Sequence, residues 1–137
     1  MSTLTPRGIP VEFGTEERRF LFDYAVIAEI QESYETDVLS VLKDLFMDRR
    51  SPGEYKAKIL IDLVHKLLLD ETEREKYLHG RELKTYTKRQ VGWMIDQINA
   101  DALVEAILKA WTTSIPKADD EDADPNGERG TKTGTDS

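Results

Sequence analysis

Few side chains in this chain have the types and spacing that chemistry needs, and each group that does has a plainer reading. Asp62 and His65 stand about one turn apart on an apolar helix, a spacing that metal ligands use. A metal site needs three or four ligands, however, and the only other histidine, His79, falls in a charged stretch. There is no second His-Glu pair to suggest a zinc hydrolase. Asp62 and His65, with Lys58 and Lys66, are therefore read as a narrow wet helix face. Glu71, Glu73 and Glu75 invite comparison with paired carboxylates for acid–base work, but such pairs need burial or unlike environments to separate their pKa values. Arg74 and Lys76 are interleaved with them, which predicts a solvated charge run. Asp119-Asp120-Glu121-Asp122 lacks the ordered spacing and the glycine of a calcium loop. Cysteine is absent, and there is no glycine-rich phosphate loop and no serine elbow. No catalysis, cofactor or metal is expected, so function has to come from binding.

The candidate binding residues are aromatic and apolar. Trp93 lies on a predicted helix whose buried stripe is Val91, Met94, Ile95 and Ile98. Steps of about 100° per residue put it roughly 160° from Ile95 and 140° from Ile98, nearly opposite that stripe. An indole off the buried face is either a second packing contact or an anchor for a partner, client or second copy. Trp111, by contrast, falls on the stripe of its own helix and reads as core. Phe46 and Met47, at the end of the second helix, are the other candidate partner-binding residues. Thr87-Lys88-Arg89-Gln90 opens a helix in the manner of a DNA-recognition helix, and a hairpin with several helices could pass for a winged helix. The surround is wrong for that reading: acids outnumber bases by twenty to sixteen in residues 1–116 alone.

These residues need elements to position them. Ile9, Val11 and Phe13 alternate with Pro10 and Glu12, and Phe20 and Phe22 alternate with Arg19, Leu21 and Asp23. With Gly14-Thr15-Glu16-Glu17 as a polar turn between them, the pattern predicts a β-hairpin. Asp23 can cap a first helix that buries Val26, Ile27, Ile30 and Tyr34. Asp37 or Thr36 can cap a second, with Val38, Val41, Leu42, Leu45 and Phe46 inward. Ser51-Pro52-Gly53-Glu54 carries the signals of a helix start and predicts a third helix from about Pro52 to Asp70. Its apolar residues span an arc of about 200°, enough to touch neighbours on two sides. Asp70 to Tyr86 is expected to be a fraying helix end and then a loop, broken at Gly80 and pinned by Tyr77, Leu78 and Leu83. Thr87 starts a fourth helix, and a bend at Asn99 or Asp101 leads to a fifth with Val104, Ile107, Leu108 and Trp111 on its seam.

The expected fold class is α+β and mostly helical, an N-terminal hairpin on about five helices. Residues 1–7 form a flexible N-terminus, 8–116 one domain, and 117–137 a disordered acidic tail with no apolar period. A chain of 137 residues buries roughly two-thirds of its unfolded surface, enough for one core. The tail holds seven acids against three bases, a net −4 of the chain's −8. An acidic surface repels phosphate backbones, so nucleic acid is not an expected partner. The first residues lack an apolar segment and Ile59–Leu69 is broken by Asp62, His65 and Lys66, so neither a signal peptide nor a membrane span is expected. A cytoplasmic protein is the expectation.

The phrase Leu21-Phe22-Asp23-Tyr24-Ala25-Val26-Ile27-Ala28-Glu29-Ile30-Gln31-Glu32 resembles the opening of tail assembly chaperones from long-tailed bacteriophages. In that family a hairpin ends in a hydrophobic-Phe-Asp step followed by an Ala/Leu/Glu-rich helix. The resemblance extends loosely over about residues 9–115. The family often has glycine after the first helix, where this chain has Glu35-Thr36. The resemblance implies a protein that keeps the long helical tape measure protein soluble and helps bring tail tube subunits to it. It also implies a host-cytoplasmic location and absence from the mature virion. In many phages a frameshift yields a longer product that contacts the tube protein, and this chain looks like the short form. An acidic adaptor or inhibitor covering a basic protein, and a small DNA-binding regulator, are the rival readings.

Overall fold

In the computed structural model of the chain, the described residues are 7–46 and 55–115. The expectations for Met47, for the Ser51-Pro52-Gly53-Glu54 helix start, for residues 1–6 and for the acidic tail fall outside them. Two antiparallel strands, β1 (Ile9–Phe13) and β2 (Glu16–Phe20), form the hairpin. Gly14 occupies the first place of the two-residue turn at φ 68°, and a Cβ there would meet Met94 Cε at 2.9 Å. The positive φ is what calls for glycine, since the Met94 side-chain end could shift aside. Ile9 pairs with Phe20, Val11 with Arg18 and Phe13 with Glu16, so these six residues share one face.

Five helices follow: α1 (Tyr24–Tyr34), α2 (Val38–Leu45), α3 (Ala57–His79), α4 (Lys88–Met94) and α5 (Gln97–Ser114). Asp23 caps α1 by accepting from the Val26 amide at 2.9 Å, and Asp37 caps α2 by accepting from Ser40 at 2.7 Å. The turn between them places Glu35 in the left-handed region at φ 56°. The centre of the domain is α3, which touches β2, α1, α2, α4 and α5. Leu60, Leu63, Val64, Leu67 and Leu68 of this helix are buried against Phe20, Phe22, Ile30, Leu45, Val91, Leu103 and Ile107 in a single core. No helix among the described residues is long and apolar enough to cross a membrane.

Several element boundaries differ from the sequence expectation, each for a local reason. The strand β2 already begins at Glu16, not after a four-residue turn, and Leu21–Asp23 lie beyond it. The described part of α3 begins at Ala57 rather than Pro52 and runs on to His79 instead of fraying at Asp70. Glu71 to Lys76 are good helix formers, and Arg74 pairs with Asp70 at 2.5 Å one turn earlier. The helix ends where Gly80 and Arg81 donate to the Lys76 and Glu75 carbonyls. Tyr77 and Leu78 are exposed and pin nothing; Tyr86 is the buried residue of the connection, edge-on to Phe13. The bend after α4 comes at Ile95-Asp96, earlier than expected. Asp96 and Asn99 exchange side-chain and backbone hydrogen bonds of 2.8 and 2.9 Å, and Asn99 Nδ2 donates to the Met94 carbonyl at 2.8 Å. That local cap outcompetes a continuous helix. Ile98 consequently belongs to α5 and is 90% exposed, not part of a buried α4 stripe.

Two charged residues are interior, and one of them, Glu71, was expected to be solvated. Arg18 is 0% exposed and donates to Glu71 at 2.7 Å, Glu16 at 3.0 Å, Thr72 at 2.8 Å and the carbonyls of Lys84 and Leu68 at 2.9 and 3.1 Å. Glu71 also accepts from the Arg19 amide at 3.2 Å. One guanidinium thus fastens the hairpin to α3 and to the segment leading into α4. Glu71 is buried for this purpose and is not part of a wet charge run. A second cluster joins α1 to α3. Arg74 donates to both Asp23 and Asp70, at 2.9 and 2.5 Å. Burial and the facing Asp23 carboxylate push the Asp70 carboxyl up to about 7, against the pull of Arg74. Burial works against the Asp23 charge too, but hydrogen bonds from Asp70, the Val26 amide and Arg74 hold it below its ordinary value.

Candidate functional site

A groove of about 820 Å³ lies where the end of α1, the first turns of α3 and the length of α4 meet. Helical spacing organises its walls. Lys58, Asp62 and Lys66 form one row at four-residue steps on α3; on α4, Lys88 precedes Gly92 and Arg89 precedes Trp93 by the same step. Ser33 and Tyr34 close the α1 side, and Ile61 supplies the apolar floor. The Thr87–Gln90 capping box sets the start of α4, with reciprocal bonds of 2.9 and 3.1 Å. Gly92 lets α4 approach α3 closely, since a Cβ there would stand 3.2 Å from Ile61 Cδ1.

Asp62 is the polar centre of the groove and corrects the expectation of a solvated face: it is 8% exposed. It accepts from the Tyr34 hydroxyl at 2.7 Å, from Lys88 Nζ at 2.9 Å and from Lys66 Nζ at 3.3 Å. Burial alone would raise its pKa, but the Tyr34 and Lys88 hydrogen bonds and the lysine charges outweigh it and hold the carboxyl below its ordinary value. The same contact and burial raise the Tyr34 phenol far above its usual range. His65, one turn on, is lowered by burial and by the Lys88 charge, so it is neutral near pH 7. Among the described residues no group of three His, Cys, Asp or Glu could hold a metal ion. Four cations, Lys58, Lys66, Lys88 and Arg89, surround one carboxylate, a formal +3 on a chain of −8.

Of the expected partner-binding residues, Trp93 is 72% exposed and stands at the rim of this groove. Phe46 is elsewhere: it closes α2, is 39% exposed rather than filling the α2 stripe, and packs edge-on against Tyr55 at 5.6 Å. It does not line the groove, and Met47 lies outside the described residues. Trp111 is half-buried and meets Phe22 edge-on at 5.5 Å. A second, smaller groove of about 450 Å³ runs between β1 and α5 beside Ile98, with Glu12, Glu105 and Lys109 around it. The sequence reading isolated Trp93 but missed the basic groove. The available signal was Lys58, Asp62 and Lys66 at four-residue steps on α3 and the adjacent Lys88-Arg89 pair opening α4. No protein-family model, no curated protein and no solved structure matches the chain.

Proposed function

We propose that this protein is a binding protein without catalysis, a tail assembly chaperone of a long-tailed phage that holds the tape measure protein soluble. The observation that supports it best is Trp93, a large aromatic side chain left 72% exposed at the rim of a groove of about 820 Å³. Exposing an indole costs hydrophobic free energy with no gain to the fold, whereas aromatic anchors dominate binding because they bury much area with few rotors. In the helix-in-groove mode, the apolar stripe of a client helix covers Trp93 and Ile61 while the outer face of the chaperone keeps the complex in water. The net charge of −8 opposes aggregation of the loaded complex. The choice of tape measure protein as client, with tail tube subunits recruited afterwards in the host cytoplasm, rests on the resemblance carried by Leu21–Glu32.

Coexpression with a long helical tape measure protein tests the reading. The expected result is a higher soluble yield of that protein and its copurification with this one, unchanged by a chelator. Equal, insoluble yields with and without this chain would overturn it.

A further inference from the structure

We infer that the groove between α1, α3 and α4 takes an acidic amphipathic segment of a partner polypeptide, its carboxylates on Lys58, Lys66, Lys88 and Arg89 and an apolar side chain against Trp93. This rests on the reading of the chain as a client-binding protein and specifies the chemistry of what it holds. Charge complementarity carries the choice of occupant. Asp62 neutralises one charge among four, which leaves the groove cationic on an acidic protein. Arg89 has no ion-pair partner among the described residues, and its side chain is on the surface beside Trp93. Lys58 and Lys66 stand two turns apart on α3 with Asp62 between them, and Lys88 and Arg89 are neighbours at the start of α4, so cations face the groove from both helices. Ile61, packed closely against Gly92, supplies the apolar surface between the cations of the two helices.

A nucleic-acid strand fits less well. Glu29, Glu32 and Glu35 are all exposed on α1 and the turn after it, next to the Ser33–Tyr34 wall. A continuous phosphate backbone leaving the groove would pass these acids. A peptide presents carboxylates only where its sequence places them.

The test uses the full chain and a fluorescein-labelled helical peptide with glutamates one turn apart beside a leucine stripe, read by anisotropy. A peptide of the same pattern with lysine for glutamate is the control. The acidic peptide should bind and the basic one should not. Arg89→Glu and Trp93→Ala should each weaken binding about tenfold or more, the loss of one hot spot, while Lys109→Glu on α5 leaves it unchanged. Equal binding of both peptides, or an unaffected Arg89→Glu, would overturn the inference. So would a single-stranded oligonucleotide that displaces the peptide, or a dimer of the free protein dissolved by Arg89→Glu. A full-length variant with Asp119, Asp120 and Asp122 changed to Asn and Glu121 to Gln should bind as the parent does. A tenfold gain would instead give the groove to the chain's own acid run. If Arg89→Glu still solubilises the tape measure protein fully, the groove assignment fails and client binding stands. If the parent protein solubilises no client, the chaperone reading fails whatever the peptide does.

Discussion

Arg18→Met removes a fully buried guanidinium while keeping most of the apolar stem. Thr72 retains its bond to the Leu68 carbonyl at 2.9 Å, so its hydroxyl is not orphaned. The Lys84 carbonyl loses a donor at 2.9 Å, and Glu71 loses its cation at 2.7 Å. What remains is a carboxylate with 6% of its side chain exposed, held only by the Arg19 amide. Breaking a buried pair in this way typically costs about 3–5 kcal/mol, because the surviving charge is uncompensated. Against a domain stability of roughly 5–15 kcal/mol, that is a large fraction. Urea denaturation at neutral pH, followed by far-ultraviolet circular dichroism, measures it. The double variant Arg18→Met/Glu71→Leu leaves no buried charge at this junction. It should recover to within about 1–2 kcal/mol of the parent, the residue being the unsatisfied Arg19 amide. A single variant that costs under about 1 kcal/mol, or a double variant no better than the single, would refute the role given to this pair.

Glu35→Gly should stabilise the protein by about 1 kcal/mol, because φ 56° is costly for any residue with a Cβ; an unchanged or lower melting temperature would refute it. Asp70 ordinarily titrates at 3.8 and is pushed up to about 7 in the fold, so between these values the folded chain holds a proton that the unfolded chain releases. Stability should therefore fall as pH rises from about 4 to about 7, by at most ~4 kcal/mol. Asp23, held below its ordinary value, adds an opposite slope only at the acid end. Asp70→Asn should flatten the curve, and a variant whose stability follows pH as the parent's does would contradict the shared-proton account.

The hairpin, the order of five helices and the Asp23, Asp37 and Thr87 caps were legible in the sequence, because each rests on local periodicity or on a side chain bonding its own helix. Arg18 was not. Its inward direction follows from the parity of Phe20, but its burial depends on Glu71, fifty-three residues away, turning onto the same place. Glu71 falls one turn after Leu67 on the buried face of α3, a position where an acid signals a distant partner. Asp62 was misjudged for the same reason: Tyr34 and Lys88, which satisfy it, come from two other helices. Trp93 was legible because its geometry is internal to one short helix. The helix broke earlier than expected, which removed Ile98 from the stripe and left Trp93 at the rim.

The central claim is that Trp93 is the anchor for a client, and its own fluorescence reports on that directly. The chain has two tryptophans, so Trp111→Phe leaves Trp93 as the sole indole while an aromatic ring stays against Phe22. Adding the tape measure protein to this variant should shift the emission to the blue and protect the indole from acrylamide quenching, as expected for a side chain going from largely exposed to buried. A complex that forms with no change in emission or quenching would place the client on another surface.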